Sequence, residues 1–181
     1  GVILGTIPGE QNVENVLRVR TDFINRELKN RGSVNKESLA KVADALSERI
    51  RERYQKNTED TIPGLLSNII TGRIANFFGC NGANFVVDGS CASSTLAFDL
   101  AAKGLKSGDY DYVITGGVDT NLYPAVMLAF SRLGLLSDKE CAFFDETARG
   151  YVMGEGAAVH VVTTYKNAMK NNMPILGEMV G

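Results

Sequence analysis

The sequence is poor in the residues that build metal centres and disulfide frameworks. Its 181 residues include one histidine, no tryptophan and three cysteines, Cys80, Cys91 and Cys141. The cysteines are widely and unequally spaced, so they form neither a CxxC metal motif nor the paired framework of a small secreted protein. We therefore expect a reduced, cytoplasmic protein with free thiols.

Strong net charge and long apolar runs are also missing. The 19 basic and 21 acidic side chains give a formal charge of −2, which provides no electrostatic attraction for nucleic acid or an anionic membrane. No apolar run approaches the roughly 20 residues that span a bilayer. Phosphate-binding glycine fingerprints are absent too, because the pair Gly116-Gly117 is too short to count. We therefore expect that the protein does not bind nucleic acid and has no membrane-spanning segment.

The length and the apolar content of 44% fit one globular domain or one lobe of a larger one. The sequence opens in an apolar run, residues 1–5, that predicts a buried strand. It ends at residues 178–181, where another strand is predicted to begin. Complete domains rarely begin and end inside their core, so we expect a part of a longer chain.

Apolar spacing of three and four residues predicts several helices. The first covers residues 39–54, behind the candidate caps Asn35 and Ser38, and its charged face is expected to be solvated. Pro63-Gly64 should break the chain before a second helix with a broad apolar stripe, which we expect to be well buried. Further helices are predicted over residues 92–102, 125–136 and 165–170.

Short β-branched runs between these helices predict strands. They cover residues 84–88, residues 112–118, and a last strand or hairpin formed by residues 151–153 and 157–162. The alternation of strands and helices along the chain is typical of an α/β sandwich with a mixed sheet.

The segment around Cys91 has the pattern of a catalytic nucleophile. The strand over residues 84–88 passes through Gly89-Ser90-Cys91 directly into a helix of small residues. Such a turn exposes the side chain, while the free N–H groups and the dipole of the helix favour a thiolate and stabilise an oxyanion. Gly89 is expected to absorb the backbone strain. The alternative is a buried structural cysteine, the role that we assign to Cys80 and Cys141.

At these residues the sequence resembles a known family. Residues 87–94, VDGSCASS, resemble the active-site signature of β-ketoacyl synthases, in which an aspartate precedes the reactive cysteine by three positions. Three further blocks follow in the family's order: residues 108–118, residues 130–137, and residues 144–145 with 150–157. The resemblance covers residues 62–163 and is closer to the synthases of polyketide and polyunsaturated fatty acid assembly lines than to stand-alone bacterial fatty-acid enzymes.

The resemblance implies both a fold and a reaction. The fold is a thiolase-like, layered α/β/α/β/α sandwich, of which residues 1–181 would be the N-terminal half of a pseudo-duplicated ketosynthase domain. Cys91 would accept an acyl chain as a thioester, and a malonyl-type extender would then be decarboxylated and condensed onto it. Both substrates would arrive on the phosphopantetheine of an acyl carrier protein, with no other cofactor and no metal.

The resemblance also assigns partners and secondary roles. It implies a homodimer through the strand before Cys91, and other megasynthase domains as possible neighbours. Phe130 would line the acyl pocket, although a plain core position explains it equally well. Asp88 is expected to hold the turn through side-chain-to-backbone hydrogen bonds. Glu155 is expected to be a buried carboxylate that bridges loops near the site.

Two departures from the family pattern stand out. Arg149-Gly150 replaces a frequent Asp-Gly, which affects no catalytic role. More seriously, the family's two catalytic histidines, in His-Gly-Thr and Asn-x-x-His motifs, have no counterpart in these 181 residues. His160 lies in a predicted strand and is expected to be structural. We therefore expect this chain alone to accept an acyl group without completing the condensation.

Two other functions stay open at this point. A cysteine hydrolase of the α/β-hydrolase type would have a Gly-x-Cys-x-Gly elbow, whereas Ser93 occupies the final glycine position and no downstream histidine suits the base. A catalytically silent partner or docking subunit would keep the fold for dimerisation and carrier binding. Such partners typically lack the elbow cysteine that this sequence retains.

Overall fold

The computed structural model describes residues 1–7, 23–27, 30, 36–53, 58–59 and 61–180. The chain divides into two compact units: residues 8–65 form one, and residues 1–7 together with 66–181 form the other. Within the described residues no helix is long and apolar enough to cross a bilayer.

The smaller unit is helical where it is described. Residues 23–27 are helical, α1 covers Lys36–Arg53 and α2 covers Thr61–Leu65. The prediction of a helix over residues 39–54 is confirmed as far as residue 53, and residues 35 and 54 lie outside the described residues. Its apolar stripe is only partly covered, because Ala43 is buried while Val42 is 64% exposed. Its charged face is solvated as predicted, with Lys41 paired to Glu37 one turn earlier.

The predicted break at Pro63-Gly64 is wrong, because both residues lie inside α2. Pro63 is the third residue of that helix. The first-turn N–H groups of a helix have no intrahelical partner, so the missing proline N–H costs nothing there.

The larger unit is built on a four-stranded mixed sheet. Its strands are β1 (Val2–Gly5), β2 (Asn84–Val87), β3 (Tyr112–Asp119) and β4 (Gly156–Thr163). Their spatial order is β2-β1-β3-β4, in which the first three strands are parallel and β4 runs antiparallel to β3. The predicted α/β class, the mixed sheet and the buried opening strand are confirmed, since all four residues of β1 are buried.

Four helices join or follow these strands: α3 (Asn68–Phe77), α4 (Ser93–Ser107), α5 (Pro124–Arg132) and α6 (Tyr165–Lys170). Helix α4 forms the core with the strands. Its small residues Ala97 and Ala101 are fully buried against Ile3 of β1 and Val113 of β3. Small side chains one turn apart let the helix approach the sheet closely, which explains the composition of this segment.

Helix α3 is less buried than its apolar stripe predicts. Only Thr71 and Ala75 are buried, and Phe77 at its end is 82% exposed. The helix contacts β2 and β1, which leaves Ile69 and Ile74 half-buried and Ile70 exposed. The prediction of a well-buried helix is therefore wrong here.

The later segments differ from the predictions at their ends. Helix α5 ends at Arg132 rather than at residue 136, because Gly134 adopts a left-handed conformation with φ 69° that ends the helix. Tyr151 forms a single parallel bridge to Leu136 rather than one strand of a hairpin. Residues 178–180 form no strand.

Candidate active site

Cys91 lies at a turn between β2 and α4. The strand ends at Val87, Ser90–Ala92 form one turn of 3₁₀ helix, and α4 begins at Ser93. The Cys91 thiol is exposed and makes no disulfide. Its sulfur lies 3.9 Å from the hydroxyl oxygen of Ser90. The predicted strand-to-helix elbow with an outward-facing thiol is therefore present.

The strained residue of the turn is Ser90 rather than Gly89. Ser90 has φ 53°, in the left-handed region that few side chains adopt, whereas Gly89 has φ −127°. The Ser90 N–H donates to Asp88 Oδ1 at 2.9 Å. The predicted structural role of Asp88 is confirmed, since its carboxylate holds the residue that reverses the chain just before Cys91.

Ser93 fastens the same turn from the other side. Its buried hydroxyl accepts a hydrogen bond from the Gly89 N–H at 2.9 Å and donates one to the Ser90 carbonyl at 2.6 Å. Side-chain-to-backbone hydrogen bonds thus hold the turn on both sides of the exposed Cys91. From the sequence we expected only a small residue at Ser93, although a hydroxyl at the first turn of a helix was a signal for such bonds.

Two glycines allow the start of α4 to pack closely against the sheet. Gly5 of β1 and Gly117 of β3 are register partners. A Cβ on Gly5 would overlap the backbone of Ser93, and one on Gly117 would lie 2.8 Å from the Cβ of Ser94. Both strands therefore need glycine here for the elbow to reach its position, a requirement that we did not predict from the sequence.

Part of the predicted oxyanion site is already occupied by the turn itself. The Ala92 N–H donates to the Gly89 carbonyl at 3.1 Å, and the Ser93 N–H donates to the Ser90 carbonyl. We expected the first N–H groups of the helix to donate to an oxyanion, and the N–H groups of Ala92 and Ser93 instead bond within the turn.

Tyr151 packs against Phe130. The rings of Phe130 and Tyr151 meet edge to face, with their centroids 5.8 Å apart. Partial burial raises the pKa of Tyr151, and the charge of the Cys91 thiolate raises it further. From the sequence we predicted a strand at Tyr151 and no role at the site. The available signal was an aromatic residue inside a glycine-rich block, residues 150–156.

Glu155 bonds to the segment before α5, and His160 lies in β4. The Leu122 N–H donates to Glu155 Oε1 at 2.9 Å, so the predicted bridge between loops is present, but the carboxylate is exposed rather than buried. His160 lies in β4 opposite Thr115, and its ring is 5.6 Å from that of Phe98. Cys80 and Cys141 are free and half-buried.

The family model for the N-terminal domain of β-ketoacyl synthases matches residues 32–168 of this chain. A polyunsaturated fatty acid synthase polypeptide from Thraustochytrium sp. is 36% identical over 125 residues, covering 66% of this chain and 4% of that protein. The chloroplastic 3-oxoacyl-[acyl-carrier-protein] synthase I of Hordeum vulgare is 30% identical over 149 residues, covering 79% and 32%. The chain thus spans at most about a third of these two relatives.

Solved structures agree with the sequence comparison. The ketosynthase of module 6 of the bacillaene synthase from Bacillus subtilis 168 matches 65% of this chain and 22% of its own, with a TM-score of 0.57 and 31% identity. An oxazolomycin ketosynthase domain from Streptomyces albus JA3453 covers 96% of this chain and 25% of its own, with a TM-score of 0.63. Its 22% identity shows the shared, thiolase-like fold. The chain therefore belongs to the β-ketoacyl synthase family.

Proposed function

We propose that Cys91 is the acyl-accepting nucleophile of a β-ketoacyl synthase. The observation that carries this proposal is the position of the exposed thiol, at a turn held by Asp88 and Ser93 between the end of β2 and the start of a helix. The relatives bear names of fatty acid and polyketide synthases, which supports the same chemistry.

The first step of this chemistry is a transthioesterification. The Cys91 thiolate attacks the carbonyl carbon of an acyl thioester carried on the phosphopantetheine of an acyl carrier protein. The tetrahedral oxyanion then collapses, the carbon–sulfur bond to the phosphopantetheine breaks, and the released thiolate takes up a proton. The acyl group is left as a thioester on Cys91, with Phe130 lining the space that it occupies.

The second step belongs to the full-length protein. A malonyl-type thioester loses carbon dioxide, its enolate attacks the acyl-Cys91 carbonyl, and the Cys91 thiolate leaves as the β-ketoacyl product forms. Stabilising the developing enolate needs a donor beside the extender's thioester oxygen. His160 lies within β4, packed beside Phe98, which is a poor position for that task. We assign residues 1–181 to the N-terminal part of the ketosynthase domain.

The proposed partners follow from the same assignment. We propose an acyl carrier protein as the substrate donor, other synthase domains as neighbours, and a homodimer formed along β2. That strand is at the edge of the described sheet, where its outer backbone groups can pair with a second copy. Three free cysteines are compatible with a reduced, cytoplasmic location.

The two alternatives are less well supported. Family membership does not favour a cysteine hydrolase of the α/β-hydrolase type. A catalytically silent docking subunit would not need an exposed thiol at a turn fastened from both sides, as Cys91 is.

The decisive experiment is active-site labelling. Incubation of the full-length protein with a radiolabelled acyl-carrier thioester should place one acyl group on Cys91, and Cys91→Ala should abolish labelling. Cys80→Ala and Cys141→Ala are the matched controls and should label like the parent protein. Peptide mapping that found the acyl group on Cys80 or Cys141 would overturn the assignment.

A further inference from the structure

We propose that Asn81 is a site of deamidation, at which ring closure with the Gly82 nitrogen leaves aspartate or isoaspartate in the turn before β2. Asn81-Gly82 is the one Asn-Gly pair in the sequence, and Asp88-Gly89 is the one Asp-Gly pair. The two pairs flank β2, one before it and one after it. The structure leaves the first pair open and holds the second.

The reaction needs only the peptide itself and water. The Gly82 nitrogen attacks Cγ of Asn81, a nitrogen–carbon bond forms, and the Cγ–Nδ2 bond of Asn81 breaks. The departing nitrogen takes up the Gly82 amide proton and leaves as ammonia. Water then opens the succinimide ring at either of its carbonyls, which gives aspartate or isoaspartate, an aspartate linked through its side chain. Glycine favours ring closure because no side chain hinders its nitrogen or restricts its backbone.

The turn that contains Asn81 is open to this reaction. Residues 80–83 connect α3 to β2 outside any helix or strand, and Asn81 and Gly82 are both exposed. The Gly82 N–H donates to no acceptor among the described residues, and the Asn81 amide has no partner among them. No protein hydrogen bond therefore has to break before the nitrogen reaches the side chain.

The fold also requires the glycine that makes this asparagine reactive. A Cβ on Gly82 would lie 3.0 Å from the backbone nitrogen of Gly1 and 3.3 Å from the ring of Tyr110. A side chain at position 82 would force these neighbours to shift. The packing of the turn thus retains the residue type that permits ring closure.

The pair after β2 is held in the opposite way. The Gly89 N–H donates to Ser93 Oγ, and the Asp88 carboxylate accepts from the Ser90 N–H, both at 2.9 Å. Ring closure at Asp88 would have to break both hydrogen bonds. The bonds that hold the turn at Cys91 therefore also protect it from isoaspartate formation.

Isoaspartate at residue 81 would disturb the pairing of β2 with β1. It adds a carbon atom to the backbone next to Gly82, which is already packed against Gly1. The adjacent Ala83 carbonyl accepts from the Val2 N–H at 3.0 Å. We expect the modified protein to unfold at a lower temperature than fresh protein. Asn81→Asp adds the charge without the extra atom and should unfold like the parent, and equal midpoints for all three would contradict this effect.

The test follows the full-length protein during incubation at mildly alkaline pH. Trypsin releases residues 74–103 as one peptide that contains both pairs. Electron-transfer fragmentation, together with labelling by an isoaspartate methyltransferase, should locate isoaspartate at residue 81 and none at Asp88. Asn81→Gln should abolish the label, because the longer side chain closes the ring poorly. Asn76→Gln, which changes an exposed asparagine of α3, is the matched control and should label like the parent.

A synthetic peptide of residues 78–85 gives the reference rate. Conversion of Asn81 in the folded protein within about tenfold of the peptide rate supports the site, because a protecting hydrogen bond would slow ring closure by about that factor. Slower conversion overturns it. Ser93→Ala frees the Gly89 N–H, so isoaspartate should then form at Asp88. If Asp88 stays as inert as in the parent, the hydrogen bond to Ser93 is not what protects it.

Discussion

At the scale of single residues, the elbow depends on a few polar side chains that bond to the backbone. Asp88 holds the N–H of Ser90, and Ser93 bonds to Gly89 and Ser90. Ser90 keeps its left-handed conformation, which costs a non-glycine residue about 1–3 kcal/mol, only because its neighbours determine it. The cysteine itself contributes little to this geometry.

Replacing the hydroxyl of Ser93 tests this arrangement. Ser93→Ala leaves the Gly89 N–H without its partner and removes one of the two hydrogen bonds to the Ser90 carbonyl, so we expect a loss of about 1–3 kcal/mol in the free energy of unfolding. The acylation rate of Cys91 should also fall. Urea denaturation and labelling measure the two effects. The exposed neighbour Ser94 provides the control variant Ser94→Ala, and equal behaviour of the two variants would contradict the prediction.

At the scale of elements, the site is produced by close packing of a helix on two parallel strands. Helix α4 contacts β3 and β1 through small residues, and its first turn rests where Gly5 and Gly117 leave room. The carboxyl ends of parallel strands lie at one edge, so the turn after β2 is exposed there while its base stays buried. The packing of α4 on the sheet is therefore also what leaves the Cys91 thiol exposed.

Substituting Gly5 tests the packing. In Gly5→Ala the new methyl group would overlap the backbone of Ser93, and backbone cannot give way as a flexible side chain can. We expect destabilisation of about 1–3 kcal/mol or more, measured by thermal or urea unfolding. Gly72→Ala is the control, because a Cβ at this position in α3 meets only the Asn84 side-chain oxygen at 3.6 Å. A Gly5→Ala variant as stable as Gly72→Ala would refute this account.

At the scale of the whole molecule, the described residues offer a nucleophile without an evident acid or base for condensation. The one histidine of the sequence lies in β4. Many apolar side chains are also uncovered, including those of Phe77, Phe143 and Phe144. The barley synthase and the oxazolomycin ketosynthase are each about three times or more as long as the part that this chain matches.

Acylation of Cys91 should therefore be observable without the decarboxylative condensation that follows it. We expect the 181-residue chain to accept an acyl group on Cys91 but to release no carbon dioxide above background from a malonyl-carrier thioester, because the family's two histidine motifs, which would stabilise the enolate, have no counterpart in its sequence. Labelling measures the first step, and release of radiolabelled carbon dioxide measures the second. The full-length protein is the positive control. Condensation by the 181-residue chain alone would show that a group other than the family's histidines supports it.

The sequence by itself determined the fold class, the strand-to-helix elbow and the family. These features are local or periodic: the spacing of apolar residues specifies helices and strands, and residues 87–94 lie consecutively in the chain. The role of Asp88 was also predictable, since its bond to the Ser90 N–H spans two residues. The burial of helix α3 was not predictable from the sequence, because it depends on which parts of the fold pack against that helix.

The tertiary structure alone decided which distant residues join Cys91. Gly5 precedes the cysteine by 86 positions and Gly117 follows it by 26, and only the pairing of β1 with β3 brings these two glycines together beneath the start of α4. Steric exclusion at Gly5 and the ring contact between Tyr151 and Phe130 are properties of that packing. The sequence pattern predicts neither of these two contacts, because the spacing of residues does not specify which strand ends become neighbours.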